Sequence, residues 1–295
     1  MLENPSSLHR YEPGRPHWWQ WPTVLSLDAP LVAVVWQSAL AQAVHRPIYW
    51  HHGIILGAAV WLAYAADRWI EGWRLSPCQV LTQRHWFYQR WRWPVAALWA
   101  TVMVVALGLS VTRLNRAELS AGLIVLVPVL IYLLSHQLIH RAHRWRVPKE
   151  VCVALLFTAG VSCFIAANQP VILYEIAGPL LCFGLLCFAD CALISIWEEG
   201  VDRSHGQTSL ALHFPRGRPF VRALPWMIAA FGALYAYWVH PKLGGMVWCA
   251  VAGGVLLGGV DLAQPSLGRQ LSRVLADVTL MTPLALLVVG HLRRV

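Results

Sequence analysis

Two short acidic segments of this sequence have the residue types and spacing for phosphate chemistry. Asp67 and Glu71 form one pair of carboxylates four residues apart, and Glu198 and Asp202 form the other. On a helix, residues four apart lie on one face, so each pair would present its two carboxylates together. Like charges at this spacing repel each other unless a cation lies between them. Mg²⁺ suits such a position because it takes hard oxygen ligands and shares them with substrate phosphates.

The two segments also resemble each other. Each contains an Asp-Arg dipeptide, Asp67-Arg68 in the first and Asp202-Arg203 in the second, followed by a glycine within about five residues. This recurrence indicates two halves of one protein, each bringing an acidic helix end to the same mouth. The alternative is that each Asp-Arg pair only caps a helix at the lipid headgroups.

The composition indicates which class of protein positions these residues. Hydrophobic residues make up 58% of the 295 residues, charged residues 13%, and the mean hydropathy is +0.52. A soluble domain carries about 25% charged residues. The sequence is therefore typical of a multi-pass membrane protein, and we expect no nucleic-acid partner. The net charge of +9 is explained by the Lys and Arg residues that orient a protein in the membrane, and it also suits contact with anionic lipids.

The apolar segments predict an all-α bundle of nine transmembrane helices. A crossing helix needs roughly 17–25 apolar residues. We divide the chain into a cytoplasmic tail, 1–21, and one transmembrane domain, 22–295. The predicted spans are 23–44, 52–70, 94–112, 119–139, 150–167, 171–196, 220–239, 244–263 and 271–292.

The basic residues predict the orientation of this bundle. Of the 23 Lys and Arg residues, 17 fall in the tail or in loops on the same side of the membrane. Cytoplasmic loops carry an excess of Lys and Arg. This places the N-terminus in the cytoplasm, the C-terminus outside, and both acidic segments at the cytoplasmic face. We expect an integral protein of a bacterial inner membrane.

With these features the sequence resembles the UbiA superfamily of intramembrane prenyltransferases. That family has nine transmembrane helices, with an NDxxDxxxD motif after the second and a DxxxD motif after the sixth. Glu198 and Asp202, followed by Arg203, Gly206 and Thr208-Ser209-Leu210, are similar to the family's DxxxDRxxGxxTL stretch. The resemblance covers most of the chain by the number and placement of spans, and about thirty residues by specific motif.

The resemblance implies that the acidic motifs bind one or two Mg²⁺ ions and the diphosphate of an isoprenoid donor. The family also holds diphosphate with basic residues near span four, a place taken here by His140–Lys149. Arginine binds phosphate through two parallel hydrogen bonds and lysine through a point charge. The implied diphosphate contacts are Arg68, Arg144, Arg146, Lys149 and Arg203. The alternative for the span-four segment is orientation charge with no ligand.

The first motif departs from the family pattern. Ala63 stands at its Asn and Tyr64 at its first Asp, while Asp67 is kept and Glu71 replaces the last Asp. A tyrosine cannot replace a carboxylate at neutral pH, because its pKa is about 10. We therefore expect a weakened first metal site. The resemblance assigns catalysis and Mg²⁺ binding to the remaining carboxylates, Asp67, Glu71, Glu198 and Asp202.

A histidine group offers a different chemistry. His136, His140 and His143 are spaced to share one helix face, and this spacing suits a transition metal or haem. Membrane di-iron oxygenases need further histidine boxes elsewhere in the chain. The alternative is that these histidines contact headgroups or diphosphate at the interface.

Acidic residues within the apolar segments offer a transporter as a second rival. Ionisable groups at membrane depth can relay protons. Such residues here are Asp28, Glu175, Asp190, Asp261 and Asp277. The glycine-rich segments that accompany them are also typical of close helix packing.

The function that we expect is Mg²⁺-dependent transfer of an isoprenoid chain from a prenyl diphosphate to a hydrophobic acceptor, aromatic or lipidic, within the bilayer. The alternative is a family member that has lost the reaction and binds an isoprenoid or quinone as a partner or assembly protein. Erosion of the first motif at Tyr64 keeps this alternative open.

Overall fold

The computed structural model describes residues 16–74, 82–135, 148–205, 209–239 and 241–292. Within these ranges the chain is helical and contains no β-strand, so the fold class is all-α, as predicted. The α-helices are numbered α1 to α14 in chain order. Their bounds are Trp21–Val24, Asp28–Ala43, Trp50–Arg74, Gln83–Arg90, Arg92–Arg113, Arg116–Leu134, Lys149–Ala166, Ile172–Trp197, Glu199–Ser204, Leu210–His213, Arg218–Ala236, Pro241–Leu267, Arg269–Thr279 and Leu284–Leu292.

Most of the helices are long and apolar enough to cross a membrane. In the described ranges, 7 do so as unbroken segments, namely α3, α5, α6, α7, α8, α11 and α12. Two further segments pass the same test only as bent pairs, with an angle of 79° between Trp18–Val24 and Asp28–Ala43 and of 43° between Arg269–Thr279 and Leu284–Leu292. Up to 9 spans result if each bent pair is one span. The bent pairs coincide with the first and last predicted spans.

The second break lies against α2, the helix that follows the first break. Ser26, in the first break, has a φ of 56°, a left-handed conformation that is uncommon for a residue with a side chain. The end of α13 leaves backbone carbonyls without helical partners. The indole Nε1 of Trp36 on α2 donates to one of them, the carbonyl of Leu280, at 2.7 Å. Asp28, at the start of α2, and Asp277, near the end of α13, lie within electrostatic range of each other.

The core of the bundle lies around α2, α8 and α12, and the helices at the edge face outward. The fully buried rings of Trp36 and Phe183 stack with centroids 4.3 Å apart at its centre. Within the apolar stretch of each helix, 56% of the residues are buried within the protein in α8 and α12, against 11% in α5 and 6% in α6. The apolar side chains of α5 and α6 are therefore left for lipid to cover.

The glycines of α12 allow close helix contact. A Cβ atom added at Gly254 would lie 2.7 Å from the backbone oxygen of Pro225 on α11, which is closer than real Cβ atoms approach. At this position the glycine is explained by packing of α12 against α11.

Candidate functional site

The ends of α3 and α8 meet at a large cavity. Its volume is about 610 Å³, and its wall is mainly apolar. Asp67 and Glu71 lie near the end of α3, whereas Glu198 lies at the junction between α8 and α9 and Asp202 lies within α9. The backbone N–H of Asp202 donates to the carbonyl of Glu198 at 2.9 Å, so these two residues are one helical turn apart. All four carboxylates line the cavity.

Two arginines hold the carboxylate of Glu198. Arg84 donates to it from α4 at 3.0 Å, and Arg273 donates to it from α13 at 2.5 Å. Burial opposes ionisation of Glu198, but the charges of Arg273 and Arg84 outweigh it, so the pKa of this carboxyl lies well below its usual value. Burial lowers the pKa of Arg84 to about 10. The carboxylate and both guanidinium groups are therefore charged at neutral pH.

A neutral histidine holds the carboxylate of Glu71. His85 Nε2 lies 2.9 Å from Glu71 Oε2, and its Nδ1 lies 2.5 Å from Thr82 Oγ1. Burial lowers the pKa of His85 to about 4, so the ring is uncharged at neutral pH. A neutral ring that donates to Glu71 must accept at Nδ1, so the Thr82 hydroxyl donates there. Arg68 contacts the same Glu71 oxygen at 3.3 Å.

The two aspartates of the motifs also line the cavity. Lys149, at the start of α7, places its Nζ 3.9 Å from Asp202 Oδ2. Asp67 lies one turn before Glu71 and lines the same cavity. Asp67 and Asp202 thus place one carboxylate from each motif on the wall of the cavity.

The predicted diphosphate contacts divide into three groups. Arg68 and Lys149 line the cavity. Arg203 does not, because its side chain is 73% exposed and pairs with Glu199 at 2.9 Å on the outer side of α9. Arg144 and Arg146 lie outside the described residues, as do His136, His140 and His143.

Sequence reasoning missed Arg84 and Arg273 as site residues. From the sequence both are only orientation charges. Arg84 lies in a loop between predicted spans, and Arg273 lies at the start of the last predicted span. Arg84 is 8% exposed, and its Nε and Nη1 have no hydrogen-bond partner among the described residues. Buried donors without partners are uncommon in proteins and indicate a place for a ligand or an ion. A signal for Arg273 was available, because it lies one turn before Asp277 in an apolar segment.

Tyr64 takes the place of the first aspartate without replacing its chemistry. Its side chain lines the cavity, and its ring meets that of Phe157 edge-on with centroids 6.1 Å apart. This residue therefore forms apolar wall below the charged end of the cavity.

The metal-binding capacity of the site is limited. In the described ranges no group of three or more His, Cys, Asp and Glu side chains is arranged to hold a metal ion. Glu198 and Glu71 have cationic or N–H partners within hydrogen-bonding distance. Asp67 and Asp202 are hard oxygen donors on the wall of one cavity, the ligand type that Mg²⁺ takes together with water and phosphate.

The comparisons with known proteins support the fold. No family model and no curated protein sequence matches the chain. Among solved structures, the chain is similar to an apo structure of a UbiA homologue from Aeropyrum pernix K1, with a TM-score of 0.56 and 18% sequence identity. The similarity covers 90% of this chain and 98% of the other. The chain has a UbiA-like fold.

This UbiA-like fold is the architecture that the acidic motifs predicted. The likeness extends over nearly the whole of both chains. At 18% identity the likeness concerns the fold, and the chemistry must be argued from the cavity itself.

Proposed function

We propose that the protein transfers an isoprenoid chain from a prenyl diphosphate to a hydrophobic acceptor within the membrane. One observation carries this proposal: Arg84 is buried at the charged end of an apolar cavity with two of its nitrogens unpaired in the described part of the chain. A guanidinium group offers donors in a fixed fork that matches phosphate oxygens. Arg273, Arg68 and Lys149 add positive charge around the same end.

The rest of the cavity suits the hydrocarbon chain of the donor. Ligand pockets have volumes of about 300–1,000 Å³ and are mostly apolar, and this cavity of about 610 Å³ falls in that range. Its wall includes Met103 and Leu107 of α5 and Leu126 and Leu130 of α6, the two helices at the edge of the bundle. A prenyl chain would therefore lie below the arginines, along helices that border the lipid.

Mg²⁺ belongs to this proposal at Asp67 and Asp202. A bound ion would act as a Lewis acid that neutralises the diphosphate as it leaves. The residues of the chain bind and orient the diphosphate through Arg84, Arg273 and Lys149, so that its carbon–oxygen bond breaks towards the apolar wall. That wall excludes water from the carbocation-like allylic centre, which then alkylates the acceptor. Glu71 and Glu198 position His85, Arg68 and the two arginines.

A second candidate is a protein that binds an isoprenoid or quinone without chemistry. The observation that favours it is the pairing of Glu198 with two arginines and of Glu71 with His85 and Arg68. These contacts satisfy half of the acidic motif residues without a metal ion. Under this candidate the charged end of the cavity is a structural ion-pair network.

The cellular setting is part of the same proposal. We place the charged end of the cavity at the cytoplasmic face of a bacterial inner membrane, with the N-terminus cytoplasmic and the C-terminus outside, because 17 of the 23 basic residues fall on that side. The division into a tail, 1–21, and a single transmembrane domain, 22–295, remains a prediction.

Turnover separates the two candidates. Purified protein in lipid nanodiscs is incubated with farnesyl or geranylgeranyl diphosphate, Mg²⁺ and a panel of aromatic and lipidic acceptors, and released diphosphate is measured. A transferase loses at least about 100-fold in turnover on Asp67→Asn or Asp202→Asn. Asp261→Asn is the matched control, because Asp261 is also buried but does not line the cavity. Donor binding without diphosphate release, in wild type as in the variants, would favour the non-catalytic candidate.

Tyr64→Asp tests the reading of the first motif. Restoring a carboxylate beside Asp67 should strengthen the apparent affinity for Mg²⁺, measured by titration of donor binding at fixed protein concentration. An unchanged Mg²⁺ affinity in a folded variant would contradict a role for Tyr64 in weakening the first metal site.

A further inference from the structure

Three aspartates lie below the charged end of the cavity and are not explained by the diphosphate site. Asp28 begins α2, Asp190 lies on α8 and Asp277 lies on α13, and all three line the cavity. A helix rises about 1.5 Å per residue. On that basis Asp190 is about 12 Å along α8 from Glu198, and Asp277 is about 6 Å along α13 from Arg273. We call these three residues the aspartate triad.

The members of the triad interact with one another. The carboxyl group of Asp277 lies within electrostatic range of both Asp28 and Asp190. Asp28 also accepts the backbone N–H of Ala29 through its Oδ1 at 2.9 Å. The triad thus joins the first and last spans, near their breaks, to α8 in the core of the bundle.

The triad has acceptor atoms to spare. Asp190 is 4% exposed, and its Oδ1 has no hydrogen-bond partner within the described residues. Asp277 Oδ2 is also buried and unpartnered there. A buried carboxyl oxygen without a donor costs free energy, so native proteins usually pair such atoms. Because both residues line the cavity, a molecule within it can supply the missing donors.

Positive charge near the triad is scarce. Arg273 interacts with all three aspartates, but it also donates to Glu198 at 2.5 Å. Tyr64, Tyr132 and Cys191 line the same stretch of wall, and none of these side chains carries a positive charge at any pH. Around the triad, three carboxyl groups therefore share one arginine, which Glu198 also engages.

We propose that the aspartate triad is a binding subsite for a head group rich in hydrogen-bond donors, with an amine preferred over a hydroxyl and both preferred over a carboxylate. The carboxyl oxygens accept from N–H or O–H groups, and an ammonium also adds positive charge where three carboxyl groups share one arginine. A carboxylate head is repelled by the same groups. The proposal rests on the proposed function in taking this head as that of the acceptor, which the cavity seats below the donor diphosphate.

The test uses three phenols that share one ring and differ only in the head group: 4-hydroxybenzylamine, 4-hydroxybenzyl alcohol and 4-hydroxybenzoate. Full-length protein is placed in nanodiscs of uncharged phosphatidylcholine, so that lipid charge does not select the amine. Binding is measured by calorimetry, with empty nanodiscs as the blank. We expect the amine to bind at least about 10-fold more tightly than the carboxylate, with the alcohol between them.

Variants locate the subsite. Asp190→Asn and Asp277→Asn each replace a carboxylate with a neutral amide of the same shape, and each should weaken amine binding about 10-fold. Asp261→Asn is the matched control and should leave it unchanged, because Asp261 is 7% exposed and pairs with Trp197 and Arg222 away from the cavity. Two independent triad variants keep the test informative if one of them fails to fold.

The outcomes separate this proposal from the proposed function, because farnesyl diphosphate binding is measured on the same samples. Two outcomes would overturn the subsite alone, provided that diphosphate binding is tight. In the first, both triad variants bind the amine as tightly as wild type does. In the second, the carboxylate binds as tightly as the amine or more tightly. Triad-dependent amine binding without diphosphate binding would support the subsite and contradict the proposed function. No binding of the amine to folded wild-type protein would also overturn the subsite.

Discussion

The neighbouring residues Glu198 and Glu199 each pair with two arginines, but the two groups lie in opposite environments. Glu198 is buried in the cavity between Arg84 and Arg273, while Glu199 lies on the outer side of α9 between Arg203 and Arg218. The side chain of Arg84 is 8% exposed and that of Arg203 is 73% exposed. Water screens the outer group, whereas the inner group depends on its own pairing. One acid between two arginines is therefore a functional feature only where it is buried and borders a cavity.

Glu198→Gln should give the largest effect on stability. The substitution leaves two buried guanidinium groups without their carboxylate, and breaking a buried ion pair in this way costs about 3–5 kcal/mol. The free energy of unfolding in mixed micelles, followed by tryptophan fluorescence, measures the loss. A decrease below about 1 kcal/mol would place Glu198 in the same class as Glu199 and would remove the difference between the two groups.

The buried group also predicts a pH dependence of the free energy of unfolding, through His85. The folded protein binds a proton at this ring only near pH 4, against an ordinary pKa of 6.5 in the unfolded chain. The unfolded chain therefore takes up the proton first as the pH falls, so stability is lost from about pH 6.5 down to about pH 4. At pH 5 the contribution of this group is about 2 kcal/mol.

The matched variant for that measurement is His85→Asn, which keeps an N–H donor towards Glu71 and does not titrate. The loss of unfolding free energy between pH 7 and pH 5 should be about 2 kcal/mol smaller in His85→Asn than in wild type. Equal losses in the two proteins would show that His85 is not held neutral by burial.

Glu199→Gln should give the smallest effect. Its arginine partners are largely exposed, and exposed ion pairs contribute about 0–1 kcal/mol. The same unfolding measurement in mixed micelles, at low and at high salt, tests this. A loss as large as that of Glu198→Gln would mean that the outer group is also structural, which would contradict the role given to burial.

The sequence predicts the fold better than the site. Long apolar segments mark the unbroken spans, since crossing the bilayer requires them. The first and last spans are bent at Ser26 and after Thr279, and apolarity carries no signal for a bend. The pairing of Asp67 with Glu71, and of Glu198 with Asp202, follows from their four-residue spacing, because it depends on local helix geometry.

The partners of these acids could not be predicted in the same way. Arg84 reaches Glu198 across 114 residues of sequence and Arg273 across 75, so their roles depend on how α4 and α13 pack. Arg203 follows Asp202 directly, yet its side chain leaves the short helix α9 on the solvent side. Spacing predicts which residues share a helix face, but it does not predict what faces them from other helices.

The central claim is that the charged end of the cavity binds diphosphate through buried arginine. Equilibrium binding of farnesyl diphosphate to wild type, Arg84→Gln and Arg222→Gln, each with and without Mg²⁺, tests it most directly. Arg222 is the control, since it pairs with Asp261 outside the cavity. A hydrogen bond to a charged group contributes about 1.5–3 kcal/mol, so Arg84→Gln should weaken binding about 10- to 100-fold, and Arg222→Gln should not. Equal affinities for wild type and a folded Arg84→Gln variant would contradict the account.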